Sequence, residues 1–245
     1  MARGLPRTSF HSPTLVRALA GLAVTEATES KQALGERLGQ WLDFKDAIAL
    51  FSALNDTRGA GDAATAARAA PAAGGLHEEI GRVRTALTEA IRNPGNPGRA
   101  SIRLPAPDPH AAPGTEDFVP YHRYYLAHQR DMGASIAPLR AHARAVLAKH
   151  SPALARLAAL DGVLDQALAP RERSLLATVP QLLARRFAQL QQAQTDAPDG
   201  HDAADGWLAT FCGDMQAVLL AELELRLQPV LGLAEALGNK KTDEP

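Results

Sequence analysis

Apolar residues return at intervals of three and four along most of the chain, which places them on single faces of helices. Leu15, Leu19 and Leu22 form one such stripe behind Ser12-Pro13, a capping side chain followed by a proline of the first turn. Leu34, Leu38 and Trp41 form a second, which Ile48 continues, so residues 12–54 read as one or two helices. Leu76, Ile80, Val83 and Leu87, closed by Ala90 or Ile91, predict a helix over 76–92 that Asn93-Pro94-Gly95 ends. Met132, Ile136, Leu139, Ala143 and Val146 run along a long helix over 119–150, with Asp117 able to cap it. Pro120 falls in its first turn and Pro138 predicts a kink.

Ser151-Pro152 starts the next helix, lined by Leu154, Leu157, Leu160 or Asp161, Leu164 and Leu168. Ala169-Pro170 reads as the start of another, with Leu175, Leu176, Val179, Leu182, Leu183, Phe187 and Leu190 on its apolar side and Pro180 as a second kink. Leu208, Phe211, Met215, Leu219 and Leu223, closed by Arg226 or Leu227, predict a last long amphipathic helix over 205–227, and 230–237 a short terminal one. No run alternates β-branched and aromatic residues in the manner of a strand.

The expected fold is therefore all-α, a multi-helix bundle of about six to eight helices with long amphipathic faces and two flexible linkers. Segments follow from the breaks in the pattern. Residues 1–54 form an N-terminal helical segment, 55–75 an Ala/Gly linker, 76–92 a helix, and 93–117 a Pro-rich linker. Residues 118–193 form a basic helical bundle, 194–204 an acidic linker, and 205–245 an acidic C-terminal helix and tail.

Composition agrees. Apolar residues make up 46 % of the chain and aromatics only 4 %. Much of the apolar share is Ala and Leu, which lose little side-chain freedom in a helix. One cysteine, Cys212, excludes an intrachain disulfide or a Cys-rich metal site. No apolar run reaches the ~18 residues a membrane span needs. A soluble cytoplasmic protein is the expectation.

The net charge of −1 hides an asymmetry: residues 118–190 carry 10 basic and 4 acidic side chains, residues 191–245 carry 3 and 10. Either the acidic end docks on the basic middle of the same bundle, or the basic face meets nucleic acid, an anionic surface or an acidic partner.

Candidate chemistry concentrates in 119–150, which holds all three tyrosines and four of the eight histidines. Tyr121, Arg123, Tyr124, Tyr125, His128, Arg130 and Asp131 form a polar-aromatic patch at helical spacing. Such a patch can bind a protein partner or stack bases, or its tyrosines can be buried anchors with wet hydroxyls. No zinc-binding HExxH occurs, and His122 and His128 point to different faces. Asp161 and Asp165 share a face, as carboxylates for acid–base work or as a solvated edge, with Arg156, Arg171 or Arg173 as neighbours. No nucleophile elbow, phosphate loop or catalytic constellation is present, so no catalytic, metal or cofactor residue is assigned.

The phrases "LGQWLDFKDAIAL" (38–50), "YYLAHQRDMGASIAPLRAHAR" (124–144), "SPALARLAALDGVLDQAL" (151–168) and "RERSLLATVPQLLARRFAQL" (171–190) together resemble an uncharacterised proteobacterial family, domain of unknown function 3348. The resemblance covers most of the chain apart from the linkers. It implies no activity or cofactor, and it suggests a cytoplasmic part of an envelope-associated assembly. The expected function is a non-enzymatic interaction or adaptor protein with a protein partner, able to form a homo-oligomer. The alternative is nucleic-acid binding through 118–190.

Overall fold

The computed structural model describes residues 14–22, 34–55, 73–93, 103–105, 116–196 and 206–239. These form eight helices: α1 (Thr14–Gly21), α2 (Leu34–Trp41), α3 (Phe44–Asn55), α4 (Ala73–Arg92), α5 (Val119–His150), α6 (Pro152–Leu176), α7 (Val179–Asp196) and α8 (Gly206–Asn239). No strand occurs among the described residues. The all-α multi-helix bundle expected from periodicity is the fold. Most of the Ala/Gly linker, most of the Pro-rich linker and residues 197–204 of the acidic linker lie outside the described residues.

The core is built around α8, which packs against α1, α4, α5, α6 and α7. Phe211, Met215, Val218, Leu219, Leu223, Leu227 and Val230 are fully buried along it. A helix contacted from so many sides must be apolar nearly all round, and α8 is. The expected break after residue 227 does not occur: Pro229 sits inside α8, which continues to Asn239. Burial of Val230, Leu233, Ala234 and Leu237 beyond the proline holds the helix together where one backbone bond is missing.

Helices α5 and α6 form a hairpin hinged on Ser151, whose hydroxyl accepts from Leu154 N at 3.3 Å. Gln129 meets Leu176, Arg140 meets Asp165 and Arg144 meets Asp161, so the two helices run antiparallel. The N-cap of α5 is Phe118, which makes no side-chain cap bond; Asp117, one residue earlier, accepts from Val119 N at 3.0 Å. Pro138 lies inside α5 without ending it.

Two boundaries differ from expectation. Pro170 starts no helix and lies within α6. Ala169 before it has no side chain that can cap. The true break is at Ala177–Thr178, where Thr178 Oγ1 donates to Leu175 O at 2.6 Å and the Thr178 carbonyl accepts from Gln181 and Leu182. Pro180 thus falls in the first turn of α7, where it displaces no helical bond, rather than at a kink. Helix α7 also runs to Asp196, so residues 194–196 are helix and not linker. At the N-terminal side, where one or two helices are expected over 12–54, the described residues form three, with a cap at Asp43 whose carboxylate accepts from Asp46 N at 2.7 Å.

Candidate functional site

The start of α5 meets α7 and α8 in an aromatic cluster. Phe211 is fully buried, with ring centroids 5.0 Å from Phe187, 5.5 Å from Tyr121 and 6.1 Å from Phe118. Trp207 closes the cluster against Phe187 at 5.1 Å. Most of these pairs are edge-to-face, the arrangement that ring quadrupoles favour.

One turn further along α5 lies a buried polar network. Glu222 of α8 is 0 % exposed. Its carboxylate accepts from Tyr125 Oη at 2.6 Å, from Gln129 Nε2 at 3.0 Å on each oxygen, and from Arg226 Nε at 2.8 Å. Gln129 Nε2 also reaches Leu176 O at 3.3 Å, so α5, α6 and α8 are tied at one point. Burial, then the Glu222 charge and its hydrogen bond, push the Tyr125 phenol far above its usual range. The network locks register between helices; a charge buried this well with its donors is an anchor.

The structure divides the seven-residue patch expected on α5. Tyr121, Tyr124, Tyr125 and His128 are buried in the bundle, while Arg123, Arg130 and Asp131 are exposed. They form no common surface, because residues spaced three and four apart here face α7 and α8, and the charged residues between them face solvent. The tyrosines are core. Burial pushes the Tyr121 and Tyr124 phenols up to about 12.

Beside them, His128 packs edge-on to Tyr124 at 4.5 Å. His128 Nε2 and Tyr124 Oη are buried without a hydrogen-bond partner in the described protein. Desolvation lowers the His128 pKa, with Asp131 pulling the other way. The folded state thus binds this proton less readily than the unfolded chain, whose histidine titrates near ~6.5. Stability should be complete above that value and should fall as pH drops through it toward the lower folded pKa. Urea titrations on either side of pH ~6.5 measure this. In His128→Leu the part of the slope due to this residue should vanish; an unchanged slope in the variant would assign the loss to other groups.

Asp161 and Asp165 do share a face, but it is turned toward α5. Arg140 reaches Asp161 at 2.6 Å and Asp165 at 2.7 Å, and Arg144 reaches the same pair at 3.0 and 2.9 Å. Their partners are therefore not Arg156, Arg171 or Arg173, which are exposed on α6. Two guanidinium forks neutralise two carboxylates in a part-buried clasp of the hairpin. Arg186 likewise pairs with Asp214 at 2.8 Å. Three of the ten basic residues in 118–190 are thus used inside the bundle, one of them on the acidic C-terminal helix. Cys212 is half-buried, and burial raises its thiol pKa. Among the described residues, no three His, Cys, Asp or Glu side chains gather as metal ligands, and no helix is long and apolar enough to cross a membrane.

The most exposed apolar surface is elsewhere. Helix α3 has no buried residue and rests on α6. Phe44 is 82 %, Ile48 51 %, Phe51 67 % and Leu54 58 % exposed. Arg171 of α6 stacks over Trp41, 5.6 Å from its ring, where α2 turns into α3. The spacing of Phe44, Ile48 and Phe51 was readable as one stripe continuing beyond Trp41, but nothing in it says that the stripe lacks a partner.

Against known proteins, the model of one family, described as protein of unknown function (DUF3348), matches residues 1–239. The chain belongs to that family. No curated protein and no solved structure matches.

Proposed function

We propose that this member of the DUF3348 family is a non-enzymatic, cytoplasmic adaptor whose docking element is α3, and that its occupant is an amphipathic helix of a protein partner. The exposure of Phe44, Ile48, Phe51 and Leu54 on one short helix carries the reading. Apolar anchors at i, i+4 and i+7 are what a partner helix needs to lay its own stripe along. Leaving two phenylalanines in water has no benefit for the fold.

The area fits a transient contact and falls short of a stable dimer. The four side chains together offer on the order of 500 Å², taking roughly 200 Å² for each large side chain fully exposed. Two copies face to face would bury about 1,000 Å², below the ~1,200 Å² where stable dimers begin. A single docked helix with transient affinity fits that size. In this reading the α5 tyrosines hold the scaffold rigid behind the docking element, and attachment to an envelope assembly would run through the partner.

The test is selection of a displayed library of amphipathic helical peptides on the full chain, followed by light scattering. Enriched peptides with the same apolar spacing should bind the protein and lose at least tenfold in affinity to Phe44→Ser/Phe51→Ser. The melting temperature should hardly change, since both side chains are already solvated. A concentration-dependent dimer that the double substitution dissolves would make the occupant a second copy instead. A monomer that enriches no peptide would sink the adaptor reading.

A further inference from the structure

A cleft of about 800 Å³ opens between α1, α4 and α8, on residues that the docking reading does not use. Its volume lies within the ~300–1,000 Å³ of small-molecule sites. Arg17 of α1 and Arg84 and Arg92 of α4 all line it. One carboxylate, Glu224 of α8, is present, and it is committed to Arg84 at 2.7 Å. Arg17 and Arg92 have no carboxylate partner among the described residues; Arg17 reaches only the Thr14 hydroxyl, at 3.5 Å. The wall therefore carries a formal balance of +2.

Thr14 and Thr88 add two hydroxyls to this lining. Thr14 and Arg17 belong to the first turn of α1, so the positive end of that helix borders the same space. The floor is apolar, made by Leu220 and Ala221 of α8 with Ala18 of α1 beside them. Two free guanidinium forks, with the Arg84–Glu224 pair and two hydroxyls beside them, suit a group with three terminal oxygens and two negative charges. A carboxylate has one charge and two oxygens, and would leave much of the donor set unused. The apolar floor asks for a small hydrophobic body attached to the anion.

We infer that this cleft binds a phosphomonoester, with Arg17 and Arg92 as the free phosphate donors, Arg84 held in place by Glu224, and Leu220 and Ala221 beneath the organic part. The phosphomonoester can be a soluble molecule or the headgroup of a lipid such as phosphatidic acid, which presents the same dianionic group.

The experiment uses the full chain in low-salt, phosphate-free buffer. Phenyl phosphate is titrated by calorimetry, and flotation is measured with phosphatidylcholine vesicles with and without phosphatidic acid. Saturable one-site binding of phenyl phosphate is expected, at least tenfold weaker in Arg17→Gln/Arg92→Gln and unchanged in Arg130→Gln, which lies outside the cleft. Binding of phenyl phosphate without flotation assigns a soluble ligand; flotation lost in the same double variant assigns the headgroup. Both variants change solvated side chains, so circular dichroism and melting should match the parent. Absence of binding in both arms, or binding that the double substitution leaves intact, overturns the assignment. Neither result bears on peptide docking to α3, so the two readings fail separately.

Discussion

Glu222→Ala should destabilise the protein by about 3–5 kcal/mol, the cost of removing one partner from a buried ionic network. The carboxylate is fully buried and accepts from Tyr125, Gln129 and Arg226. Without it, the Tyr125 hydroxyl keeps its desolvation and loses its acceptor, and Arg226 is left with Glu172 alone, at 3.6 Å. Urea unfolding followed by far-UV circular dichroism measures the difference. Glu222→Gln should lie between parent and alanine, because the amide still accepts but carries no charge. Adding Arg226→Leu to Glu222→Leu should recover part of the loss, since Arg226 would otherwise keep only the more distant Glu172 carboxylate, at 3.6 Å, in a part-buried site. A loss under about 1 kcal/mol for Glu222→Ala would mean that water reaches the network and that it does not anchor α5 to α8.

Phe211→Ala is the second large effect, expected at about 3–5 kcal/mol. Phe211 is 0 % exposed and is touched by rings from α5, α7 and the segment before α5. Deleting its ring removes transfer free energy and leaves a cavity walled by Phe118, Tyr121 and Phe187. Phe211→Leu should cost less, as it refills part of the volume. By contrast Phe44→Ala, on the exposed face of α3, should lie within about 0.5 kcal/mol of the parent. If the two phenylalanines proved alike, the division between core α8 and docking helix α3 would be wrong.

Much of the fold was legible because helices announce themselves locally. The stripe Met132, Ile136, Leu139, Ala143 and Val146 is buried as its spacing predicts, and so are Leu76, Ile80, Leu87 and Ile91. The Ser151 cap acts as expected, since a capping side chain needs only a backbone N–H three residues away, whereas the N-cap of α5 is Phe118 and Asp117 reaches Val119 N from one residue outside it. Prolines were less legible. Ser151-Pro152 begins a helix, whereas Ala169-Pro170 and Gln228-Pro229 lie inside helices that packing carries past them. The same residue is a start or an interruption according to what its neighbours bury.

The α5 patch shows the limit more sharply. Tyr121, Tyr124, Tyr125 and His128 sit in a stretch with five basic residues and one acid, which suits a binding surface as well as a core. Amphipathic rings satisfy either environment. Periodicity tells which residues share a face, and says nothing about whether another helix covers it. That is why four residues expected together with Arg123, Arg130 and Asp131 are covered, and why Phe44, Ile48 and Phe51 are not.

The sequence by itself determined the helical class, most helix positions and which apolar residues share a face, because these depend on interactions within a few residues along the chain. Only the tertiary structure decided that α8 is the hub, that Asp161 and Asp165 clasp Arg140 and Arg144, that Glu222 collects donors from two helices, and that α3 is left bare. Each of these joins residues distant in sequence, and the burial that makes a polar group an anchor or an apolar face a docking surface arises only when the helices meet.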